Sequence, residues 1–215
     1  MNAEKFPVYR HSGKFGLHAP FLVALVTAGT SFALGLLYAY LVKWIPFIYL
    51  NLFITVGYGF AIGIVATLML SLTKVRNNTV AFLCALLGSL MAVYCAWSGH
   101  MHATVAGAPI FARPNELLIF MQELYKEGSW GIGSGGAVKG ILLALVWVAE
   151  AGIIVVLATL AGYGGVSSTP FCEKNQCWLD EDKQIDTLAA ITDPEHVRAI
   201  SSGHLGPVSY THLTL

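Results

Sequence analysis

Four long apolar segments constrain the fold of this chain more than any other feature of its sequence. They cover residues 20–42, 47–73, 79–97 and 137–162. A helix needs about 20 apolar residues to cross the hydrocarbon core of a bilayer, and its backbone polar groups must be paired within the segment. A hydrophobic fraction of 56% with only 11% charged residues agrees with this interpretation. The sequence therefore predicts an all-α integral membrane bundle of four transmembrane helices.

Basic residues predict the orientation of this bundle. Most of the Lys and Arg residues near span ends lie either before the first span or between the second and third spans: Lys5, Arg10, Lys14, Lys74 and Arg76. Lys and Arg at span ends favour the cytoplasmic side. We therefore expect the N-terminal segment 1–19 and the polar C-terminal tail 164–206 to be cytoplasmic, and the loop 98–136 to be outside. The chain has no net formal charge and no basic cluster, so a nucleic-acid partner is not expected.

The outer loop contains a helical pattern of its own. Residues 115–127 follow Pro114, precede Gly128 and are charged on one face. The pattern predicts an amphipathic helix on the outer side of the bundle, with an apolar stripe formed by Leu117, Leu118, Met121, Leu124 and Tyr125.

The last residues are expected to be foreign to the protein. Residues 208–215 read Val-Ser-Tyr-Thr-His-Leu-Thr-Leu, which resembles a translated transposon-end sequencing adapter. On this interpretation residues 207–215 are an artefact, the natural chain is truncated near Gly206, and the segment is excluded from fold reasoning.

Glu150 is the acidic residue that stands out, because it lies near the middle of the fourth apolar segment. An acid at that depth costs about 2.5–3.5 kcal/mol on insertion scales, and such residues usually face the bundle interior or a cavity. The nearest basic residue in sequence is Lys139, at the start of the fourth segment and about 16 Å away along the helix. Three readings stay open, namely a helix-packing role, proton or cation handling, and a contact with a partner protein. Neutral hydrogen-bonding partners for the acid are Asn51, Thr55, Tyr58 and Tyr38.

Cys172 and Cys177 form a pair in the polar tail. A cytoplasmic location is reducing, which favours metal or thiol chemistry over a stable disulfide. Four intervening residues are at the wide end of zinc-ligand spacing, and His196 and His204 are candidates to complete a four-ligand zinc site. A zinc site, a redox pair and two cysteines without a function all remain open.

His100 and His102 flank Met101 just after the third span. Imidazole and sulfur ligands suit copper, but two histidines at this spacing share a face only in an extended chain. Ordinary interfacial histidines are the other interpretation.

Gly59 and Gly63 form a GxxxG pair in the second span. Small residues four apart let two helix backbones approach closely. The pair predicts either packing within the bundle or a dimer face, so a homo-oligomer is one alternative.

Five segments carry a loose resemblance to uncharacterised four-helix bacterial inner-membrane proteins: residues 9–14, 46–51, 74–77, 147–150 and 171–178. Those proteins have a Cys-x-x-Cys pair in their inner tail, where this chain has Cys-x-x-x-x-Cys. The resemblance implies a bacterial inner-membrane location and no particular activity.

Two functional hypotheses follow from these features. No nucleophile–base–acid arrangement is recognisable, so we expect a non-enzymatic scaffold or assembly protein that displays a cytoplasmic Cys-pair module, with zinc as its candidate cofactor. Its partners would be the lipid bilayer and a membrane or cytoplasmic protein. The alternative is a small transporter or channel subunit that uses Glu150 for proton or cation handling.

Overall fold

Helices account for most of the described backbone, as the long apolar segments predict. The computed structural model describes residues 9–45, 47–131 and 137–179, so the predicted zinc ligands His196 and His204 and the adapter-like segment lie outside the described residues. The described helices are α1 (Ala19–Trp44), α2 (Ile48–Leu72), α3 (Asn78–Thr104), α4 (Pro114–Glu127) and α5 (Ile141–Ser167). Two short antiparallel pairs join β1 (Trp130–Gly131) to β2 (Ala137–Val138) and β3 (Phe171–Cys172) to β4 (Cys177–Trp178). Four of the helices are long and apolar enough to cross a membrane.

The helix boundaries differ from the predicted spans at three places. α3 continues to Thr104, past the predicted end at residue 97, because hydropathy marks where a helix becomes polar and not where its hydrogen bonds stop. α5 begins at Ile141 instead of 137, since Ala137 and Val138 pair with β1. α5 also continues to Ser167 through residues expected to start the polar tail.

α1, α3, α5 and α2 follow one another around a closed ring. α1 packs along α3, α2 packs along α5, and the α1–α2 and α3–α5 contacts complete the ring. The α1–α3 pair and the α2–α5 pair are each parallel, because the residue numbers at successive contacts increase in the same direction along both helices. We name the two ends of the ring for later reference. The cavity end is the end at which α1 and α3 terminate, and the hairpin end is the opposite one.

Glycines bring the parallel helices to backbone contact. A Cβ atom added at Gly99 of α3 would lie 2.9 Å from the carbonyl oxygen of Gly35 of α1. One added at Gly63 of α2 would lie 2.6 Å from Cβ of Ala161 of α5, and one at Gly59 would lie 3.2 Å from Cα of Ile154. The GxxxG pair therefore packs against α5 of the same chain.

Large apolar side chains lie mainly on the outside of the ring. Exposed examples on the long helices are Phe21, Leu25, Leu37, Phe53, Leu87, Leu145, Val148 and Leu160. The interior is instead rich in small and hydroxyl-bearing residues, and it buries Thr27, Ser31, Thr55, Ser89 and Thr159. Water would penalise so large an apolar surface, whereas lipid covers it at no cost and small residues pack well inside. This distribution supports a multi-pass membrane protein.

Helix α4 begins one residue before its predicted start. The backbone N–H of Arg113 donates to the Glu116 carboxylate at 2.9 Å, which stabilises the first turn. The predicted stripe was partly wrong: Leu117 is buried, but Leu118 is 60% exposed and Phe120 is buried in its place. Phe120 packs on the His100 ring of α3, with ring centroids 5.8 Å apart, so the contact with α3 selects a face rotated from the predicted one.

Alanine substitutions in α2 test the close contact with α5. We expect Gly63→Ala to lower the free energy of unfolding by about 1–3 kcal/mol, because the new methyl group overlaps Ala161 and Ala158. The matched control is Gly57→Ala, since nothing lies within 4 Å of a Cβ atom there. It should leave stability unchanged or raise it by up to about 1 kcal/mol. Thermal unfolding in detergent compares the two, and equal melting temperatures would contradict the packing assignment.

Candidate functional site

A cavity of about 800 Å³ opens at the cavity end of the ring. All five helices line it, because α4 and the residues after it cover the space between the ends of the four long helices. Its polar lining includes Tyr38, Lys43, Asn51, His100, Thr104, Glu127, Ser129 and Glu150. The apolar lining includes the aromatic side chains of Phe47, Tyr49, Trp97 and Trp147.

Glu150 of α5 lies on the wall of this cavity. It is nine residues from the start of α5 at Ile141, or about 14 Å along the helix axis. The residue is half-buried and borders the cavity. In the described part of the chain, no Lys, Arg or His nitrogen lies within 4.0 Å of its oxygens.

Asn51 lines the same cavity from the first turn of α2. Its Oδ1 atom is buried and has no hydrogen-bond partner among the described residues. A buried unpaired amide oxygen is costly, and in native structures it usually marks a place where a ligand, an ion or water binds. Asn51 is thus an acceptor that the protein itself leaves unused.

Two of the hydrogen-bonding partners predicted for Glu150 are engaged elsewhere. Thr55 donates to the Asn51 carbonyl oxygen at 2.8 Å and lies 3.1 Å from the Tyr38 hydroxyl. Tyr58 donates to the carbonyl oxygen of Ala92 at 2.9 Å and to that of Ser31 at 3.2 Å, which ties α2 to both α3 and α1. That part of the prediction was wrong, because the Thr55 hydroxyl donates to a carbonyl of its own helix and the Tyr58 hydroxyl donates to carbonyls of α1 and α3. Tyr38 and Asn51 do share the cavity with Glu150.

Lys43 brings a positive charge to the cavity that the predicted span boundaries had excluded. Because α1 continues to Trp44, Lys43 lies within the helix and lines the cavity. Its ammonium group donates to the carbonyl oxygen of Ala103 near the end of α3. This hydrogen bond satisfies a terminal helix carbonyl and holds the lysine at the rim.

His100 and His102 both lie inside α3, so their helical spacing directs them to different faces. His102 Nδ1 donates to the carbonyl oxygen of Ala108 at 2.7 Å and ties down the loop that follows α3. His100 packs edge-on against Trp97, with ring centroids 6.0 Å apart, and lines the cavity. The extended conformation that a shared copper site requires is not formed.

At the hairpin end, the Cys pair lies on a β-hairpin. β3 and β4 pair with Cys172 opposite Cys177 and Phe171 opposite Trp178. Phe171 is buried against the bundle, and side chains alternate along a strand, so the two cysteines face away from the bundle. Directly opposite residues have Cα atoms about 4.5–5.5 Å apart, which is close enough for one metal ion or a disulfide. Both cysteines are free thiols.

Three segments hold this hairpin on the bundle. The Tyr9 hydroxyl accepts from the Phe171 N–H at 2.9 Å, and the Trp178 indole N–H donates to the Ser71 carbonyl oxygen at 2.9 Å. Arg76 of the α2–α3 turn donates to the Glu173 carboxylate at 2.7 Å, and its guanidinium lies 4.6 Å from the centre of the Phe171 ring. The hairpin is therefore fixed relative to the bundle. The term docked hairpin is used below for the hairpin together with residues 9–14 and 73–77.

The pKa of Glu173 is lowered by its neighbours. The largest contribution is a hydrogen bond from Ser12, followed by the hydrogen bond and charge of Arg76 and the charge of Lys14. The Lys14 ammonium nitrogen lies 3.9 Å from the carboxylate. These contacts favour the ionised carboxylate.

Metal-ligand geometry is incomplete within the described residues. Across residues 9–45, 47–131 and 137–179, no group of three or more His, Cys, Asp or Glu side chains has an arrangement that could hold a metal ion. Cys172 and Cys177 supply two ligands side by side, so a tetrahedral zinc site needs two more from elsewhere.

Comparisons with known proteins add no assignment. No protein-family model matches this chain, and neither curated proteins nor solved structures give a significant match.

Replacing Asn51 tests whether its amide contributes to the fold. We expect Asn51→Leu to leave the melting temperature unchanged or to raise it, because the substitution removes an unpaired buried acceptor of similar size. Tyr58→Phe is the contrasting variant, since it deletes a hydroxyl that donates to two carbonyls. It should lower the free energy of unfolding by about 1 kcal/mol. A larger loss for Asn51→Leu than for Tyr58→Phe would show that the amide is structural.

Glu173 predicts a specific pH dependence for the docked hairpin. Because its pKa is below the ordinary value of 4.5 in the folded protein, the carboxylate stabilises the fold above that value. The contribution is lost as the pH falls through the lowered pKa. Between neutral pH and about pH 3, the wild type should therefore lose more thermal stability than Glu173→Gln. Glu123→Gln, which changes an exposed acid of α4, should behave like the wild type.

Proposed function

We propose that this protein is a non-enzymatic multi-pass protein of a bacterial inner membrane that displays the docked hairpin to the cytoplasm as an assembly module. The four apolar helices support the membrane location. Lys14, Lys74 and Arg76 all lie at the hairpin end, and this supports a cytoplasmic position for that end. Both termini would then be cytoplasmic.

The observation that carries the proposal is the way the hairpin is held. Tyr9 bonds the hairpin backbone, and Ser71 and Arg76 bond its Trp178 and Glu173 side chains, while Cys177 stays exposed opposite Cys172. A short hairpin has little stability alone, so these contacts maintain a rigid surface with two thiols on its free face. Such a surface suits recognition by a protein partner or by a metal ion that the partner and this chain share.

Zinc is the metal whose ligand preference fits two adjacent thiolates in a reducing compartment. Two further ligands would come from His196 and His204 or from a partner protein. A redox role would instead require reversible oxidation of the two thiols to a disulfide.

Metal analysis of the purified protein tests this proposal. We expect about one zinc per chain, lost in the Cys172→Ser/Cys177→Ser double variant because two thiolate ligands disappear. Cys84→Ser is the matched control, since Cys84 lies within α3 and far along the chain from the hairpin. Absence of zinc from the wild type, or its retention in the double variant, would remove zinc from the proposal.

A second candidate function rests on the cavity. Glu150 faces an internal space bordered by Asn51 and Tyr38, which is the arrangement expected of a group that handles protons or cations. On this candidate the protein is a small transporter or channel subunit.

Flux measurements in proteoliposomes separate the two functions. If Glu150 carries transport, Glu150→Gln should abolish proton or cation flux, because the amide keeps the shape of the acid but cannot ionise. Cys172→Ser should leave that flux unchanged. If the protein is an assembly module, Glu150→Gln should be harmless, whereas Cys172→Ser should release the partner or the metal.

A further inference from the structure

The charges lining the cavity are unbalanced. Two acids, Glu127 and Glu150, face one lysine across it. The Lys43 ammonium is already engaged with the Ala103 carbonyl oxygen at the rim. The lining thus has more carboxyl groups than ammonium groups, so it favours a cationic ligand over an anionic one.

Two unused acceptors occupy the same wall. Glu150 has no basic nitrogen of the described residues within 4.0 Å, and the buried Asn51 Oδ1 has no donor in the same part of the chain. Because a carboxyl group and an unpaired amide oxygen line the same cavity, the lining matches a positively charged group that also carries N–H bonds.

Aromatic rings supply the third element of recognition. Trp97 and Trp147 meet edge to face with centroids 5.0 Å apart, and both line the cavity. Tyr38, Phe47 and Tyr49 add further rings. Aromatic faces attract organic ammonium groups, most strongly where water is excluded. Val42, Val93 and Ile154 give the cavity an apolar wall for the rest of such a molecule.

We propose that the cavity binds a protonated amine attached to an apolar body, with Glu150 as its counter-ion and Asn51 Oδ1 as acceptor for one ammonium N–H. The volume of about 800 Å³ is within the usual range for small-molecule sites, about 300–1,000 Å³. The same chemistry occurs in a free amphiphilic amine and in the headgroup of an aminophospholipid. This inference concerns the cavity and is independent of the docked hairpin.

Three radiolabelled probes of similar shape test each element separately. 4-Phenylbutylamine carries both charge and N–H bonds, its N,N,N-trimethyl derivative carries charge alone, and 4-phenylbutanol carries neither charge nor N–H. Binding is measured by equilibrium dialysis against protein in nanodiscs, with empty nanodiscs subtracted. We expect the amine to bind about tenfold more tightly than the alcohol, with the trimethyl derivative between them.

Two variants assign these differences to residues. Glu150→Gln should remove the advantage of both cations over the alcohol. Asn51→Leu should remove only the advantage of the amine over its trimethyl derivative. Glu123→Gln, an exposed acid outside the cavity, should leave the wild-type order intact. Each variant is first checked for the helical circular dichroism and the elution volume of the wild type.

The nanodisc lipids distinguish the two sources of amine. With the phosphatidylglycerol fraction held constant, the neutral component is either phosphatidylethanolamine or an amine-free glycolipid. Weaker probe binding in the phosphatidylethanolamine discs identifies the aminophospholipid headgroup as a competing ligand. Equal binding in both identifies free amines as the ligand class.

The proposal is overturned if the wild type binds amine and alcohol equally, or if Glu150→Gln binds both cations as tightly as the wild type does. If Glu150→Gln fails to fold, the Asn51→Leu comparison decides alone. The proposed role of the amide is overturned if Asn51→Leu still prefers the amine over its trimethyl derivative as strongly as the wild type does. Binding without flux leaves the inference intact and removes only the transporter candidate.

Discussion

Backbone contact between α2 and α5 is the constraint on which both ends of the molecule depend. Gly59 and Gly63 let α5 approach closely, because a Cβ atom would be crowded by Ile154 at Gly59 and would overlap Ala161 at Gly63. The contact continues towards the hairpin end, where Gly162 packs against Ala66 and Gly165 packs against Thr67. Towards the cavity end, α2 carries Asn51 and Tyr49 and is preceded by Phe47, and these larger side chains line the cavity that begins where the glycines stop. The same pair of helices thus closes one end of the ring and leaves the other open.

Arg76 plays a comparable part at the hairpin end. Its backbone N–H donates to the Lys14 carbonyl oxygen at 2.9 Å and its carbonyl oxygen accepts from the Gly13 N–H at 3.1 Å, so the N-terminal segment pairs with the α2–α3 turn. Its guanidinium then pairs with Glu173 and covers Phe171. A planar, permanently charged group can make all of these contacts at once, which a lysine could not do. One residue therefore joins two segments that are distant in sequence to the hairpin that carries the cysteines.

The sequence predicts the long helices well, because lipid imposes a length and a composition that leave a direct signal. The sequence also predicts that Glu150 faces inwards, because lipid disfavours a carboxyl group. It does not predict the cavity, since Lys43, His100 and Trp147 come together only through the packing of three helices and the continuation of α1 and α3 beyond their apolar segments. The five segments singled out in the sequence analysis nevertheless meet in two places. Residues 9–14, 74–77 and 171–178 belong to the docked hairpin, whereas Trp147, Glu150 and Asn51 from the other two segments line the cavity.

The position of Glu150 is easier to understand once the cavity is known. A carboxyl group near the bilayer centre costs about 2.5–3.5 kcal/mol on insertion scales, and a helix-packing role would reduce that cost through hydrogen bonds to neighbouring side chains. Thr55 and Tyr58 were the neighbours suited to that role, and both donate to backbone carbonyls instead. Asn51, which could have donated or accepted, keeps its oxygen unpaired beside the same space. A helix-packing role would join these groups to Glu150 by hydrogen bonds, and among the described residues Thr55 and Tyr58 form theirs with backbone carbonyls.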